Sequence, residues 1–227
     1  TVAYIGFSDP WGDIAYNGIK EAAEKAGLKI VTNERYARSD TSVAGQILKI
    51  VAAKPDAVMV GGSGTPGALP HIALAERGFK GPVYATPGVF NQDFLRIGGK
   101  SLEDTVGVTG PIGGHDQLPD SNPIKKVSQD FIKKYEDING KGSWNSFASF
   151  AYDGNLVLAA AIEKALKKGK PGTPEFRKAV RDEVRAVKEL VGTNGVYHFP
   201  EGTSYGVDDR SVILVQVKNG QWKYLPN

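Results

Sequence analysis

The residues of this chain best suited to chemistry are the glycines of Gly62–Gly67, which reads Gly-Ser-Gly-Thr-Pro-Gly. The spacing is that of a GxGxxG dinucleotide-binding turn, in which amides at a helix N-terminus hold a pyrophosphate. Such a turn normally follows the first strand, and the next strand ends in an acid. Here it follows the third predicted strand, and the fourth ends in Ala85-Thr86. A nicotinamide site is therefore disfavoured, and we expect the free amides to approach an anion or a polar ligand atom.

A second interpretation makes Ser63 a nucleophile. The elbow of a hydrolase requires Gly-x-Ser-x-Gly, and Gly61 is in place, but Thr65 stands where the second glycine belongs. The histidines fall in three different predicted elements, a helix, a linker and a late strand: His71, His115 and His198. No HExxH motif or acidic calcium loop is present, so the sequence predicts no catalytic triad, no metal site and no cofactor.

Aromatic and polar side chains also cluster where the first predicted strand ends. Asp9 precedes Pro10, an order typical of a helix N-cap followed by its first residue. Trp11 then lies in the first helical turn, where it suits the wall of a cleft as well as it suits packing. Phe7 and Phe90 are expected in the core, since aromatic residues are commonly buried.

These residues are positioned by a repeating βα pattern. Five short apolar runs begin near Val2, Leu28, Ala57, Val83 and Val106, and a helical pattern follows each. The repeat predicts an α/β fold with a doubly wound parallel sheet, whose ligands bind beyond the carboxyl ends of the strands. That rule selects four stretches: Phe7–Trp11, Gly61–Thr65, Thr86–Phe90 and Thr109–His115.

The pattern changes after the fifth run. A stretch rich in proline and glycine, Gly110 to Asn122, predicts a linker. Three helices with apolar faces follow, and the chain offers no obvious surface to cover them: Pro123–Asn139, Ser146–Lys168 and Thr173–Lys188. Within the second of them, Asp153 is expected to favour the positive end of the helix. A short strand comes next, and Asn219-Gly220 then predicts a tight hairpin: Gly195–Phe199, Ser211–Val217 and Gln221–Leu225.

Composition narrows the class of protein. The 227 residues are 41% hydrophobic and 23% charged, with a net charge of +3 and no cysteine. Basic and acidic residues are interspersed, so neither nucleic-acid binding nor membrane insertion is predicted. Lack of cysteine suits an exported protein. The chain opens on a strand without an initiator methionine, which favours a processed or trimmed product or a fragment.

Residues 1 to 225 resemble the later part of a type I periplasmic solute-binding protein, of the leucine/isoleucine/valine-binding family of ABC transporters. The matching segments are the opening TVAYIGFSDPWGD, then KPDAVMVGGSGTPGALPHIALAERGFKGPVYATPG, SFAYDGNLVLAAAIEKAL, and GTNGVYHFPEG with ILVQVKNGQW. Their order and spacing across nearly the whole chain make the resemblance specific.

Such proteins have two doubly wound lobes joined by three crossings, with the solute between the lobes. The sheet of the first lobe precedes Thr1 in family members, so that lobe is expected to be incomplete here. Gly110–Gly114 is the expected hinge. The resemblance implies three parts: 1–110 with 204–227 as the second ligand-binding lobe, 111–122 as an inter-lobe crossing, and 123–203 as the helical part of the first lobe.

The resemblance also implies where the solute is bound. Amino-acid-binding members tend to place an acid for the α-ammonium after strand four, where this chain has Thr86-Pro87-Gly88. A desolvated ammonium without a counter-charge is costly, so an aromatic or apolar carboxylic acid is favoured over an amino acid. The contacts expected from the second lobe are Ser8, Trp11, Ser63, Thr65 and Thr86.

The predicted function is a non-enzymatic, periplasmic solute receptor that delivers its small-molecule solute to the membrane permease of an ABC transporter. Two alternatives stay open. The first is the ligand-sensing domain of a transcription regulator or receptor with the same fold, which an upstream DNA-binding segment or membrane span would favour. The second is an α/β enzyme for a nucleotide or ester, which turnover dependent on Ser63 would favour.

Overall fold

A computed structural model describes residues 1–203 and 205–226. They form two compact units: unit 1 is Thr1–Thr109 with the stretch from Leu214 onwards, and unit 2 is Gly110–Ile213. The chain enters unit 1 again later than the expected residue 204, since the amide of His198 donates to the carbonyl of Gly206 and ties that stretch to unit 2. Ser204 and Asn227, the two ends of the expected final segment, lie outside the described residues.

The helices and strands follow the predicted order. The described strands are β1 Val2–Phe7, β2 Ile30–Tyr36, β3 Ala57–Gly61, β4 Val83–Ala85, β5 Val106–Thr109, β6 Leu190–Val191, β7 Val196–Tyr197, β8 Ile213–Lys218 and β9 Gln221–Leu225. The described helices are α1 Pro10–Lys25, α2 Ala44–Ala52, α3 Ala68–Glu76, α4 Gln92–Gly98, α5 Pro123–Asn139, α6 Ser146–Ala165 and α7 Pro174–Arg185. The main difference is β6, a two-residue strand that the sequence did not predict.

Unit 1 is built on a seven-stranded sheet in the order β2-β1-β3-β4-β5-β8-β9. The first five strands pair in parallel, and β8 and β9 form an antiparallel hairpin at the edge. The chain goes from β1 outward to β2 and then crosses back to β3 and onward, so its direction reverses between β1 and β3. This is a doubly wound α/β sheet, and the predicted fold class is confirmed.

Strand β1, between β2 and β3, is buried at every position, as expected of a parallel strand covered on both faces. Tyr4 lies within it and donates its hydroxyl hydrogen to the carbonyl of Gly12 at 2.7 Å. Burial raises the pKa of Tyr4 to about 12. Gly6 and Gly61 are paired in register, and a Cβ on either would stand about 2 Å from the Tyr4 hydroxyl oxygen. These glycines make room for a buried tyrosine.

The edge hairpin turns at Asn219 and Gly220, both with positive φ (54° and 71°), as a type I′ turn requires. Val215 and Val217 of β8 are buried, and Trp222 of β9 stacks on Phe94 with ring centroids 6.1 Å apart. The hairpin prediction is confirmed, and its strands are packed against the same core as the βα units.

Unit 2 consists mainly of α5, α6 and α7, each begun by a side-chain cap: Asn122, Asn145 and Thr173. Large apolar side chains of α5, of α6 and of the residue that follows α6 are exposed: Ile138, Phe147, Phe150, Leu158, Ile162 and Leu166. Asp153 lies two turns inside α6 rather than at its positive end, so that expectation was wrong. Within the described residues, no helix is both long and apolar enough to cross a membrane.

Candidate functional site

The candidate site lies at the carboxyl edge of the unit 1 sheet, where the turns after β1, β3 and β4 come together. Gly6 is opposite Gly61 in the β1–β3 ladder, and Val60 is opposite Ala85 in the β3–β4 ladder. The three strands therefore end at the same level. Ligands of doubly wound sheets bind at such an edge, next to the point where the strand order reverses.

The first turn is set by local sequence. The Asp9 side chain accepts from the Gly12 amide at 3.1 Å and Pro10 is the first helical residue, so the predicted N-cap is confirmed. Desolvation opposes it, but hydrogen bonds from Arg38 and from the Gly12 amide hold the pKa of Asp9 below its usual value. The turn thereby exposes Ser8 and leaves Trp11 half-buried at the start of α1.

Trp11 spans the point of reversal between β1 and β3. Its indole Nε1 donates to the carbonyl of Gly62, the residue directly after β3, at 3.2 Å. The indole also packs against the buried cluster that includes Ile5, Phe7 and Val60. The ring is therefore fixed across the crevice rather than free to rotate in solvent.

Thr86 reaches the same carbonyl from the other side. Its hydroxyl donates to the oxygen of Gly62, and the side chain is only 5% exposed. The Gly62 carbonyl thus joins the turn after β1 to the turn after β4. Thr86 therefore holds these turns in position.

The glycine-rich turn uses its glycines for close packing. A Cβ on Gly62 would stand 2.7 Å from the Cα of Gly67, and one on Gly67 would stand 2.8 Å from Val89. Gly64 has a φ of 60° and donates its amide hydrogen to Gly88 at 2.9 Å. The turn is therefore built to approach the β4 turn closely, which accounts for the glycines without a nucleotide.

Ser63 and Thr65 occupy this same turn. Ser63 is half-buried, and its hydroxyl donates to the Gly88 carbonyl at 3.4 Å. Thr65 is half-buried and begins a short 3-10 turn, Thr65–Gly67, that leads into α3. A Cβ on Gly88 would stand 2.9 Å from Ser63 and 3.0 Å from Trp11, so Gly88 must lack a side chain.

The structure thus joins Trp11, Ser63 and Thr86 through backbone atoms of Gly62 and Gly88, and it places Ser8 and Thr65 in the same turns. Phe7 is fully buried, and Phe90 is 9% exposed and stacks on Trp222 with ring centroids 5.5 Å apart. Their predicted place in the core is confirmed. Trp11, unlike Phe7 and Phe90, is only half-buried.

Two arginines near this edge of the sheet were not predicted from the sequence. Arg38, in the loop after β2, is ion-paired with Asp9 at 2.6 Å, and Arg35 is ion-paired with Asp13 at 3.1 Å. Neither arginine belongs to a motif, and only the pairing of β1 with β2 places them here. Among the described residues, no group of three or more histidine, aspartate or glutamate side chains is arranged to hold a metal ion.

A family model described as periplasmic binding protein matches residues 1–221. The chain belongs to this family. The resemblance that the sequence indicated is therefore confirmed at the level of the family. A search of curated proteins finds no match.

The chain is also similar to solved structures of ligand-binding and solute-binding proteins. An extracellular ligand-binding receptor from Rhodopseudomonas palustris is 47% identical, with a TM-score of 0.94, over 99% of this chain and 63% of that chain. A receptor from strain HaA2 is also 47% identical over the same shares, with a TM-score of 0.95. A solute-binding protein of an R. palustris ABC transporter, in complex with benzoate, is 17% identical with a TM-score of 0.75, over 99% of this chain and 57% of that chain, which shows the fold alone. The chain spans less than two thirds of the length of these proteins.

Proposed function

We propose that this chain is the ligand-binding part of a solute receptor for an ABC transporter, with unit 1 as one of its two lobes. Trp11 carries the proposal, because a fixed, half-buried indole lies across the reversal point where this kind of sheet binds ligands. The receptor would act without turnover, outside the inner membrane, and deliver its solute to a membrane permease. The family membership supports a ligand-binding role.

The solute we propose is a small aromatic or apolar carboxylic acid. The Trp11 ring supplies a flat apolar surface, and Ser8, Ser63 and Thr65 supply hydroxyls around it. The turn after β4 carries no acidic residue to pair with an ammonium group. Desolvating an ammonium group there without a counter-charge would be costly. The benzoate complex of a protein with the same fold agrees with this class.

Closure would follow solute binding. We propose that Gly110–Gly114 is the hinge, a short segment whose 3-10 turn Pro111–Gly114 is held by a hydrogen bond from the Ile112 amide to the Thr193 carbonyl at 3.1 Å. A solute that contacts both lobes only in the closed form shifts the population toward closure. Thr86 would act in this scheme as a positioning residue of the binding turns.

Calorimetric titration with benzoate, cinnamate, leucine and valine tests the proposal. We expect the aromatic acids to bind and Trp11→Ala to weaken them at least about tenfold, because a buried aromatic contact is lost. Tyr84→Ala, at an exposed position within β4, is the control and should bind as the parent does. Binding of leucine and valine alone would reject the proposed solute class, and unchanged binding by Trp11→Ala would reject the site.

A further inference from the structure

The guanidinium of Arg38 lies over the end of β1, although Arg38 follows β2. Phe7 and Tyr36 end the two strands opposite one another. Two residues beyond Tyr36, the Arg38 side chain crosses back so that its Cζ stands 4.2 Å from the centroid of the Phe7 ring. Phe7 immediately precedes Ser8 in the turn that carries Trp11. The cation is therefore part of the candidate site's first turn.

The orientation of this guanidinium is fixed from two sides. The Phe7 ring supports its flat face in a cation–π contact. Its Nε donates to Oδ2 of Asp9 at 2.6 Å, while Oδ1 of Asp9 accepts from the Gly12 amide as the cap of α1. Asp9 is thus anchored by the helix and in turn holds one edge of the guanidinium.

The opposite edge is uncommitted. In residues 1–203 and 205–226, the terminal nitrogens Nη1 and Nη2 make no hydrogen bond, and the side chain is 50% exposed. Two parallel N–H groups in this fork match the oxygens of a carboxylate, and a guanidinium remains charged at any physiological pH. A pre-oriented fork loses less conformational entropy on binding than a free one.

The acids nearby are already engaged. Both oxygens of Asp9 accept hydrogen bonds, Asp13 pairs with Arg35, and Asp40 accepts from the Ala37 amide at 2.8 Å. The Nη1 and Nη2 edge of Arg38 therefore offers N–H donors to an anion, while both oxygens of Asp9 are already used.

We infer that Arg38 binds the carboxylate of the solute from unit 1, with the ring of the solute directed toward Trp11. The inference rests on the proposed function and adds to it the group that recognises charge. The anion would lie against the Nη1 and Nη2 edge, on the side away from Asp9.

Benzoate and benzamide test this pairing, since they share a planar ring and differ in charge. We expect Arg38→Gln to weaken benzoate on the order of 10- to 100-fold and to leave benzamide within about twofold, because a charge-assisted contact is lost. Arg38→Lys keeps the charge without the two parallel N–H groups, and its affinity for benzoate should lie between those of the parent and of Arg38→Gln. Arg77→Gln, exposed at the end of α3, is the control.

Two results overturn the inference separately from the proposed function. If Arg38→Gln binds benzoate as the parent does, or loses benzoate and benzamide equally, Arg38 does not recognise charge, although the receptor function stands. If the parent binds neither compound, the proposed solute class fails, and acetate tests Arg38 directly. A saturable acetate-dependent shift of the arginine Nε–H resonance that Arg38→Lys removes supports the inference, and no selective shift overturns it.

Discussion

The two units hold their interiors together by different means. In unit 1, buried side chains are mostly aliphatic and aromatic, and the polar groups considered for binding lie at the ends of strands. In unit 2, a fully buried carboxylate, Asp153, organises the loop between β6 and β7. Its oxygens accept from backbone and side-chain groups of that loop and of β7: Thr193 N, Thr193 Oγ1, Asn194 N, Asn194 Nδ2 and Tyr197 Oη.

The comparison distinguishes buried polar groups, which stabilise the interior, from polar groups that remain partly exposed. Every hydrogen-bonding position of Asp153 is filled from within unit 2, and burial together with the neighbouring carboxylate raises the pKa of Tyr197 well above its usual value. The turns of unit 1 instead leave hydroxyls and a guanidinium edge partly exposed. A buried polar group is therefore a poor guide to a binding site unless some of its capacity remains unfilled.

The largest expected effect is in unit 2. Asp153→Ala removes the acceptor for both amides and both side chains of Thr193 and Asn194, and we expect a loss of about 3–5 kcal/mol in the free energy of unfolding. Urea denaturation measures it, with hydrogen exchange at 192–197 as the local reading. Asp130→Ala, an exposed member of the helix pair with Lys126, should cost less than about 0.5 kcal/mol. A loss below about 1 kcal/mol for Asp153→Ala would show that the loop holds its shape without the carboxylate.

A smaller effect is expected from His71, the buried polar side chain of α3 in unit 1. Its Nδ1 lies 3.2 Å from Thr105 Oγ1, and burial lowers its pKa from 6.5 to about 3. Below pH 6.5, His71 is therefore protonated in the unfolded chain and stays neutral in the folded chain. The contribution of His71 to the free energy of unfolding is full above pH 6.5 and falls by about 1.4 kcal/mol per pH unit as the pH drops toward 3.

Urea unfolding at pH 6.5 and pH 4.5 measures this slope. Other groups also titrate in this range, so the informative quantity is the difference between the parent and His71→Gln. Between pH 6.5 and pH 4.5, we expect the free energy of unfolding of the parent to fall by about 2–3 kcal/mol more than that of the variant. Equal slopes would mean that the folded protein protonates His71 readily.

The smallest effect concerns the packing of the binding turns. Gly88→Ala would place a methyl group 2.9 Å from Ser63 and 3.0 Å from Trp11, and such overpacking costs about 1–3 kcal/mol. We expect the near-ultraviolet circular dichroism of Trp11, read in a background that carries both Trp144→Phe and Trp222→Phe, to change as the indole is displaced. Gly18→Ala, in α1 with no atom within 4 Å of the new Cβ, should leave that signal unchanged. An unaltered spectrum for Gly88→Ala would show that the turn yields without moving Trp11.

Much of the fold was predictable because its signals are local. The apolar runs and helical periods fixed the order of strands and helices, Asp9 and Pro10 marked the start of α1, and Asn219-Gly220 marked the hairpin. Each of these signals acts within a few residues, so it survives without knowledge of neighbouring strands. The resemblance to solute-binding proteins added the family, which the family model confirms.

For the candidate site, the location was predictable from the sequence and the roles of its residues were not. Its position at the ends of β1, β3 and β4 follows from the repeat, and Trp11, Ser63 and Thr86 do meet there. The role of each could not be predicted. Whether the Thr86 hydroxyl turns inward to Gly62 depends on a rotamer and on the spacing between two strands distant in sequence.

The sequence by itself determined which residues form helices, strands and turns, because those preferences depend on near neighbours. Only the tertiary structure decided that Arg38 stacks on Phe7 and that Asp153 meets Thr193 and Asn194 some forty residues later. Such contacts depend on strand order and on competition among donors for a few buried acceptors. That competition is settled by three-dimensional packing, and it separates the groups that hold the protein together from those that stay partly exposed.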